Sequence, residues 1–174
     1  MNTPIPTPPS TLNWPPLGNK WFHWSEVERC FWPGRGRRSN PVNLELGRIK
    51  ECGGVYVLAW SANEPPRKSP HRASVVKYIG ETAWFKGRLG GFGSSAGLWG
   101  GRLSGHSAGW SWPKGKKSKL WVAFFDVVGQ LELEPHLCKG LRCWVEAVAL
   151  EEHRLANGKL PAVNAVKRND VAKI

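Results

Sequence analysis

The chain has 174 residues and is 41% hydrophobic, enough for one folded domain with some extension and too apolar for a disordered chain. Its formal net charge of +12 points to a polyanionic partner, nucleic acid above all. A membrane span is excluded, because no apolar run approaches the ~18 residues of a membrane helix: the longest, LWVAFF from Leu120, is followed by Asp126.

Residues 1 to about 20 carry Pro4, Pro6, Pro8, Pro9, Pro15 and Pro16 and predict an extended arm, since proline fixes its own torsion and lacks an amide donor. The opening MNTPIPTPPS has neither a basic end nor an apolar stretch, so a secretory signal is not expected and the cytoplasm is the expected location. WFHWSEVERCFW follows from Trp21, with Ser25 placed to cap a short helix. PGRGRRSNP from Pro33 reads as a basic loop, and VNLELGRIKECGG from Val42 as a short helix or turn. This divides the chain into a proline-rich and basic arm, residues 1–45, and a folded domain, residues 46–174.

Val55 to Trp60 is a strand by its β-branched and aromatic content. After the proline-containing connection SANEPPRKSPHRAS, Val75 to Ile79 is a second strand, ended by Gly80. Trp84 to Leu89 is a helical turn. Eight glycines between Gly90 and Gly109 make the next stretch too glycine-rich for a regular helix. Lys119 to Val128 is a third strand. LCKGLRCWVEAVALEEHRLANGK is the clearest helix, with Leu141, Val145, Val148, Ala149 and Leu155 roughly on one face and Gly158 as its natural end. LPAVN from Leu160 closes the domain. Cys30, Cys52, Cys138 and Cys143 lack CxxC spacing and an accompanying histidine pattern, so they read as reduced structural residues and not as a zinc site.

The charge is unevenly spread. From Thr82 to Phe125 there is no acidic residue, while Lys86, Arg88, Arg102, Lys114, Lys116, Lys117 and Lys119 are basic. Of these, Arg102, Lys114, Lys116, Lys117 and Lys119 are the expected contacts to nucleic acid. The acid-free stretch Arg29 to Leu44 adds Arg29, Arg35, Arg37 and Arg38. The chain has 11 tryptophans but only two tyrosines, Tyr56 and Tyr78, one in each of the first two predicted strands.

Those tyrosines belong to a series: Gly54-Val55-Tyr56, then Tyr78-Ile79-Gly80, then Arg88, then a glutamate in the late helix, then PAVN ending at Asn164. In this order they resemble the GIY-YIG nuclease family, with valine in the place of the first isoleucine. The resemblance covers about Gly53 to Asn164 and implies a small α/β domain of the α+β type, with a three-stranded antiparallel sheet flanked by helices. It also implies a DNA endonuclease that hydrolyses phosphodiesters with one divalent metal, Mg2+ or Mn2+. Double-stranded DNA is the expected partner, and a homodimer that cuts both strands is compatible with a restriction-type role. A repair or structure-specific nuclease is the alternative. A binding protein without catalysis is the rival class, in which Trp99, Trp110 and Trp112 would stack on bases.

Under the resemblance, Tyr56 and Tyr78 position or deprotonate the attacking water, and Arg88 binds the scissile phosphate with its fork of donors. The family often carries a histidine or tyrosine one turn after the arginine, but here that residue is Phe92. His106 is the replacement proton carrier, either folded back on Arg88 or paired with Arg102 four residues before it. The first arrangement is preferred. Glu146 is the metal ligand, preferred over Glu152, which stands twelve residues before Asn164, and over Glu151. The latter two are expected to be solvated. Asn164 ties the last segment to the site through its amide.

Overall fold

GVYVLAW, the first predicted strand, forms the middle of the sheet. In the computed structural model, which describes residues 20–33, 43–62, 64–66, 69–99, 106–112, 117–126 and 135–165, this strand spans Gly54–Trp60 (β2), and only its last residue escapes burial. That is the pattern of a strand covered on both faces. On one side it pairs with β3 (Val76–Thr82) and on the other with β4 (Leu120–Asp126), both antiparallel. β4 also pairs with β1 (Phe22–His23), giving the order β1-β4-β2-β3. The sheet thus has four strands where three were expected. Two residues are too few to show a strand period, so β1 was invisible to pattern reading. β3 does not stop at Gly80 but runs on to Thr82.

Alternation along the strands sorts the side chains into two layers. Tyr56, Leu58, Tyr78, Val122 and Phe124 face one side, where α1 (Trp24–Phe31), α2 (Leu44–Ile49) and α3 (Phe85–Ser95) cover them. Val55, Val57, Ala59, Ile79 and Ala123 face the other, against Val145 and Ala149 of α5 (Pro135–Asn157). A short α4 (Ser107–Trp110) packs against α3.

Three expectations need correction. The arm was drawn to residue 45, yet Phe22, Trp24, Val27 and Phe31 are all at most 1% exposed in the main core. Their apolar area is the reason: burying a large side chain contributes roughly 1.5–3 kcal/mol, and the segment supplies the sheet with an edge strand. Residues 1–19 and the basic loop 34–42 lie outside the described residues. The cap of α1 is His23, not Ser25. His23 Nδ1 accepts from Ser25 N–H, and Glu26 accepts from His23 N–H at 3.2 Å, which makes a capping box. Finally, α3 extends through Gly87, Gly90, Gly91 and Gly93, a stretch read mostly as loop. Each glycine costs a helix about 1 kcal/mol, but here rings occupy the gaps: a Cβ on Gly93 would come within 2.7 Å of the Trp99 ring.

α5 ends as expected, with Gly158 in the left-handed region at φ 72°. All four cysteines are free. Among the described residues no helix is long and apolar enough to cross a membrane.

Candidate functional site

Register explains why the two tyrosines meet. Tyr56 pairs with Gly80 and Leu58 with Tyr78, so Tyr56 and Tyr78 are diagonal neighbours on one face of β2 and β3. Their ring centroids are 5.8 Å apart. Gly80, read above only as a strand end, makes this possible. A Cβ there would come within 2.5–2.8 Å of the Tyr78 ring and hydroxyl. Tyr78 therefore lies across Gly80 and brings its phenol to Tyr56. The signal was in the sequence: residues two apart on a strand share a face, so tyrosine followed two residues later by glycine offers the ring a bed. Gly80→Ala is expected to lift Tyr78 off this bed and lower stability by about 1–3 kcal/mol, the usual cost of overpacking. Melting curves and the near-ultraviolet dichroism of the aromatic cluster read both effects.

Arg88 approaches from α3, whose first turn starts just after β3. Its guanidinium hydrogen-bonds with both phenols, and its Nε is buried without a partner among the described residues. His106 approaches as the cap of α4. Its Nδ1 accepts from Ala108 N–H at 3.0 Å, so in the neutral ring the proton sits on Nε2. That Nε2–H donates to the Tyr56 oxygen at 2.6 Å. Ser95 fixes the backbone of this loop on α3, accepting from His106 N–H at 2.8 Å and donating to Gly91 O at 2.6 Å.

The donors set the direction of the cluster. The Tyr56 oxygen accepts from His106 and Arg88, so its own proton points to Tyr78, with which it is hydrogen-bonded. Burial pushes the Tyr56 phenol well above the ordinary tyrosine value; Tyr78 adds to the rise and the Arg88 charge opposes it. At neutral pH Tyr56 is a protonated phenol that holds Tyr78.

The structure thus brings Tyr56, Tyr78, Arg88 and His106 together, with His106 held on the Tyr56 hydroxyl; Arg102, its other expected partner, lies outside the described residues. Phe92 is a core residue against the His106 ring, at 5.9 Å between centroids. Asn164 lies at the open edge of β3. Its amide accepts from Ile79 N–H at 2.9 Å and donates to Ile79 O at 2.8 Å, completing an edge that has no strand neighbour among the described residues. Val163 beside it packs into the tyrosine-side core, so the closing segment wraps around this edge.

Glu146 is half-buried on α5, the helix that covers the opposite face. It follows Arg142 by one turn, and Arg142 bonds to Glu81 of β3 at 3.0 Å. Glu146 therefore lies on the flank of α5 toward the edge that Asn164 closes. Among the described residues no group of three or more His, Cys, Asp or Glu gathers as a metal cluster. A single carboxylate is a donor set that suits magnesium, which keeps several waters, and does not suit zinc.

The other helix carboxylates part ways. Glu151 is exposed and pairs with Arg154, as expected of a solvated residue. Glu152 is not solvated: it is 8% exposed and binds His71 at 2.5 Å and Arg72 at 2.8 and 3.0 Å. The turn that precedes β3 supplies both partners, and the hydrogen bond from His153 Nδ1 to His71 O locks them to α5 at 2.7 Å. Burial holds His71 and His153 below the ordinary histidine value, with the Glu152 bond working against this at His71. The unfolded chain then takes up protons near pH 6.5 while the folded chain resists them. Stability is full above that pH and is lost as the pH falls below it. Melting temperature is expected to drop between pH 7.5 and 5.5, and a rise over that interval would contradict the assignment.

Of the expected nucleic-acid contacts, Arg102, Lys114 and Lys116 lie outside the described residues. Lys117 pairs with Glu28 at 2.9 Å, and Lys119 is exposed. The expectation that Trp99 and Trp112 stack on bases is corrected: Trp112 is 3% exposed and stacks on Trp60, and Trp99 packs on Trp24 and Trp32. The glycines that suggested an open loop instead let these rings close over α3. Comparison with known proteins gives no match, whether to a family model, a curated protein or a solved structure.

Proposed function

We propose that the chain is a metal-dependent DNA endonuclease of the GIY-YIG type. One observation carries this reading: a guanidinium at the start of α3 bound to two phenols, one of which is held by a histidine ring. A phosphate oxygen is the acceptor that suits it, and the net charge of +12 suits a DNA backbone.

In this reading the cluster prepares the attack on phosphorus. His106 Nε2–H and Arg88 orient Tyr56, and Tyr56 O–H and Arg88 orient Tyr78. Tyr78 then holds the attacking water in line with the phosphate on Arg88. Glu146 is the residue that would hold magnesium at the β3 edge. When bound, the metal supplies charge stabilisation at the phosphate and the leaving oxygen. Asn164 keeps the edge strand and the closing segment in place. A restriction role, with two copies cutting both strands, and a repair role both fit this chemistry. The test is incubation with supercoiled plasmid. With magnesium chloride the plasmid should be nicked or linearised, and with EDTA it should be retarded but uncut. Retardation without cutting in both would make the chain a binding protein.

A further inference from the structure

Trp84 differs from the other tryptophans. Among the tryptophans whose burial is described it is the one that stays exposed, at 49%. Yet its indole is firmly placed. Nε1–H donates to Glu51 at 3.1 Å. Thr82 Oγ1 accepts from Trp84 N–H at 3.1 Å and donates to its carbonyl at 3.2 Å. The ring rests on Gly87, where a Cβ would stand 2.3 Å from it. The benzo side of the ring thus lies over Gly87, while about half of the residue is open to solvent. A large apolar ring held in this way loses little further freedom when something stacks on it.

Its position adds meaning. The Trp84 carbonyl accepts Arg88 N–H at 3.1 Å, so ring and guanidinium share the first turn of α3. Lys86 lies between them and, at 4.0 Å from Glu51, offsets the carboxylate that anchors the indole. No acidic residue occurs from Thr82 to Phe125. A single ring is far smaller than the roughly 800 Å² per partner of a stable protein interface, whereas a nucleobase matches it in size and stacks on it irrespective of sequence.

We propose that Trp84 is a stacking platform for an unpaired DNA base next to the phosphate bound by Arg88. The inference rests on the nuclease reading above and specifies its substrate. Within an intact duplex both faces of each base are covered by neighbours, so only an unpaired or extruded base has a face to offer. The substrate is therefore DNA that is open at the cut, such as a bubble, a flap or a branch.

The test uses a duplex with a short unpaired segment that carries 2-aminopurine, in EDTA so that nothing is cut. The protein should bind it more tightly than the fully paired duplex and quench the probe. Trp84→Ala should abolish the quenching and weaken binding to the open DNA by about ten-fold, leaving the paired duplex unaffected, while Trp84→Phe should retain most of both. Unchanged quenching and affinity in Trp84→Ala would overturn the proposal. So would a change in sedimentation of Trp84→Ala, which would make the ring a contact between copies. The two readings fail separately. A parent that cuts plasmid with magnesium but does not quench the probe loses the platform alone. A parent that quenches the probe but never cuts keeps the platform and loses the nuclease reading.

Discussion

Glu146→Gln is expected to bind DNA at least as tightly as the parent and to cut none of it, and added magnesium should restore little. The substitution keeps the shape of the side chain and its helix propensity but removes the charge that a hard cation needs. Binding is preserved because a negative charge close to the phosphate has gone. Glu152→Gln is the matched control in the same helix. From Glu146 to Glu152 is six residues, about 600° at ~100° per residue, so the two side chains point about 120° apart. Glu152 is already bound to His71 and Arg72. Its loss should lower stability by an amount on the order of 2 kcal/mol, since the buried bonds from His71 and Arg72 lose the negative charge that strengthens them. At a temperature where the variant is folded, cutting should survive. Melting curves and plasmid cleavage on the two variants separate the roles. Cleavage lost in Glu152→Gln and kept in Glu146→Gln would exchange the assignments.

Tyr56→Phe is expected to fold, to bind DNA like the parent and to cut at least ~100-fold more slowly. The ring remains, and with it the contacts to Phe85 and Tyr78. What goes is the oxygen that accepts from His106 and Arg88 and directs its proton to Tyr78. Three groups then lose their common partner, and Tyr78 loses the bond that aims it. A base acting through a phenolate at this position would also be abolished by the substitution, but pH separates the two. Burial keeps Tyr56 protonated well past the ordinary tyrosine value, so a phenolate base would give a rate that climbs steadily with pH through the alkaline range, whereas a supporting phenol gives no such climb.

The sheet was legible from sequence where its strands are long. GVYVLAW and LWVAFF are buried on both faces and read as apolar runs, and α5 carries a helical period over many turns. β1 was not legible, because two residues have no period. α3 was misread since helix propensity counts glycine as a cost and cannot see the Trp99 ring that a glycine admits. In the site, Tyr56, Tyr78 and Arg88 came from the family resemblance that their order carries, and spacing left His106 with two possible partners. Its place depends on Ser95, fifty-one residues from Glu146 and eleven from His106, which pins the loop to α3 through one backbone bond. Glu152 was misjudged because its partners, His71 and Arg72, sit some eighty residues away in a turn of no marked pattern.

The most direct test is single-turnover cleavage of an end-labelled duplex with an unpaired segment, with magnesium and with EDTA, by the parent and by Tyr56→Phe at protein concentrations that saturate binding. The account predicts magnesium-dependent cutting by the parent, a rate at least ~100-fold lower for Tyr56→Phe, and equal retention of DNA by both. Equal cutting by the two proteins, or DNA bound by the parent and never cut in magnesium, would contradict it.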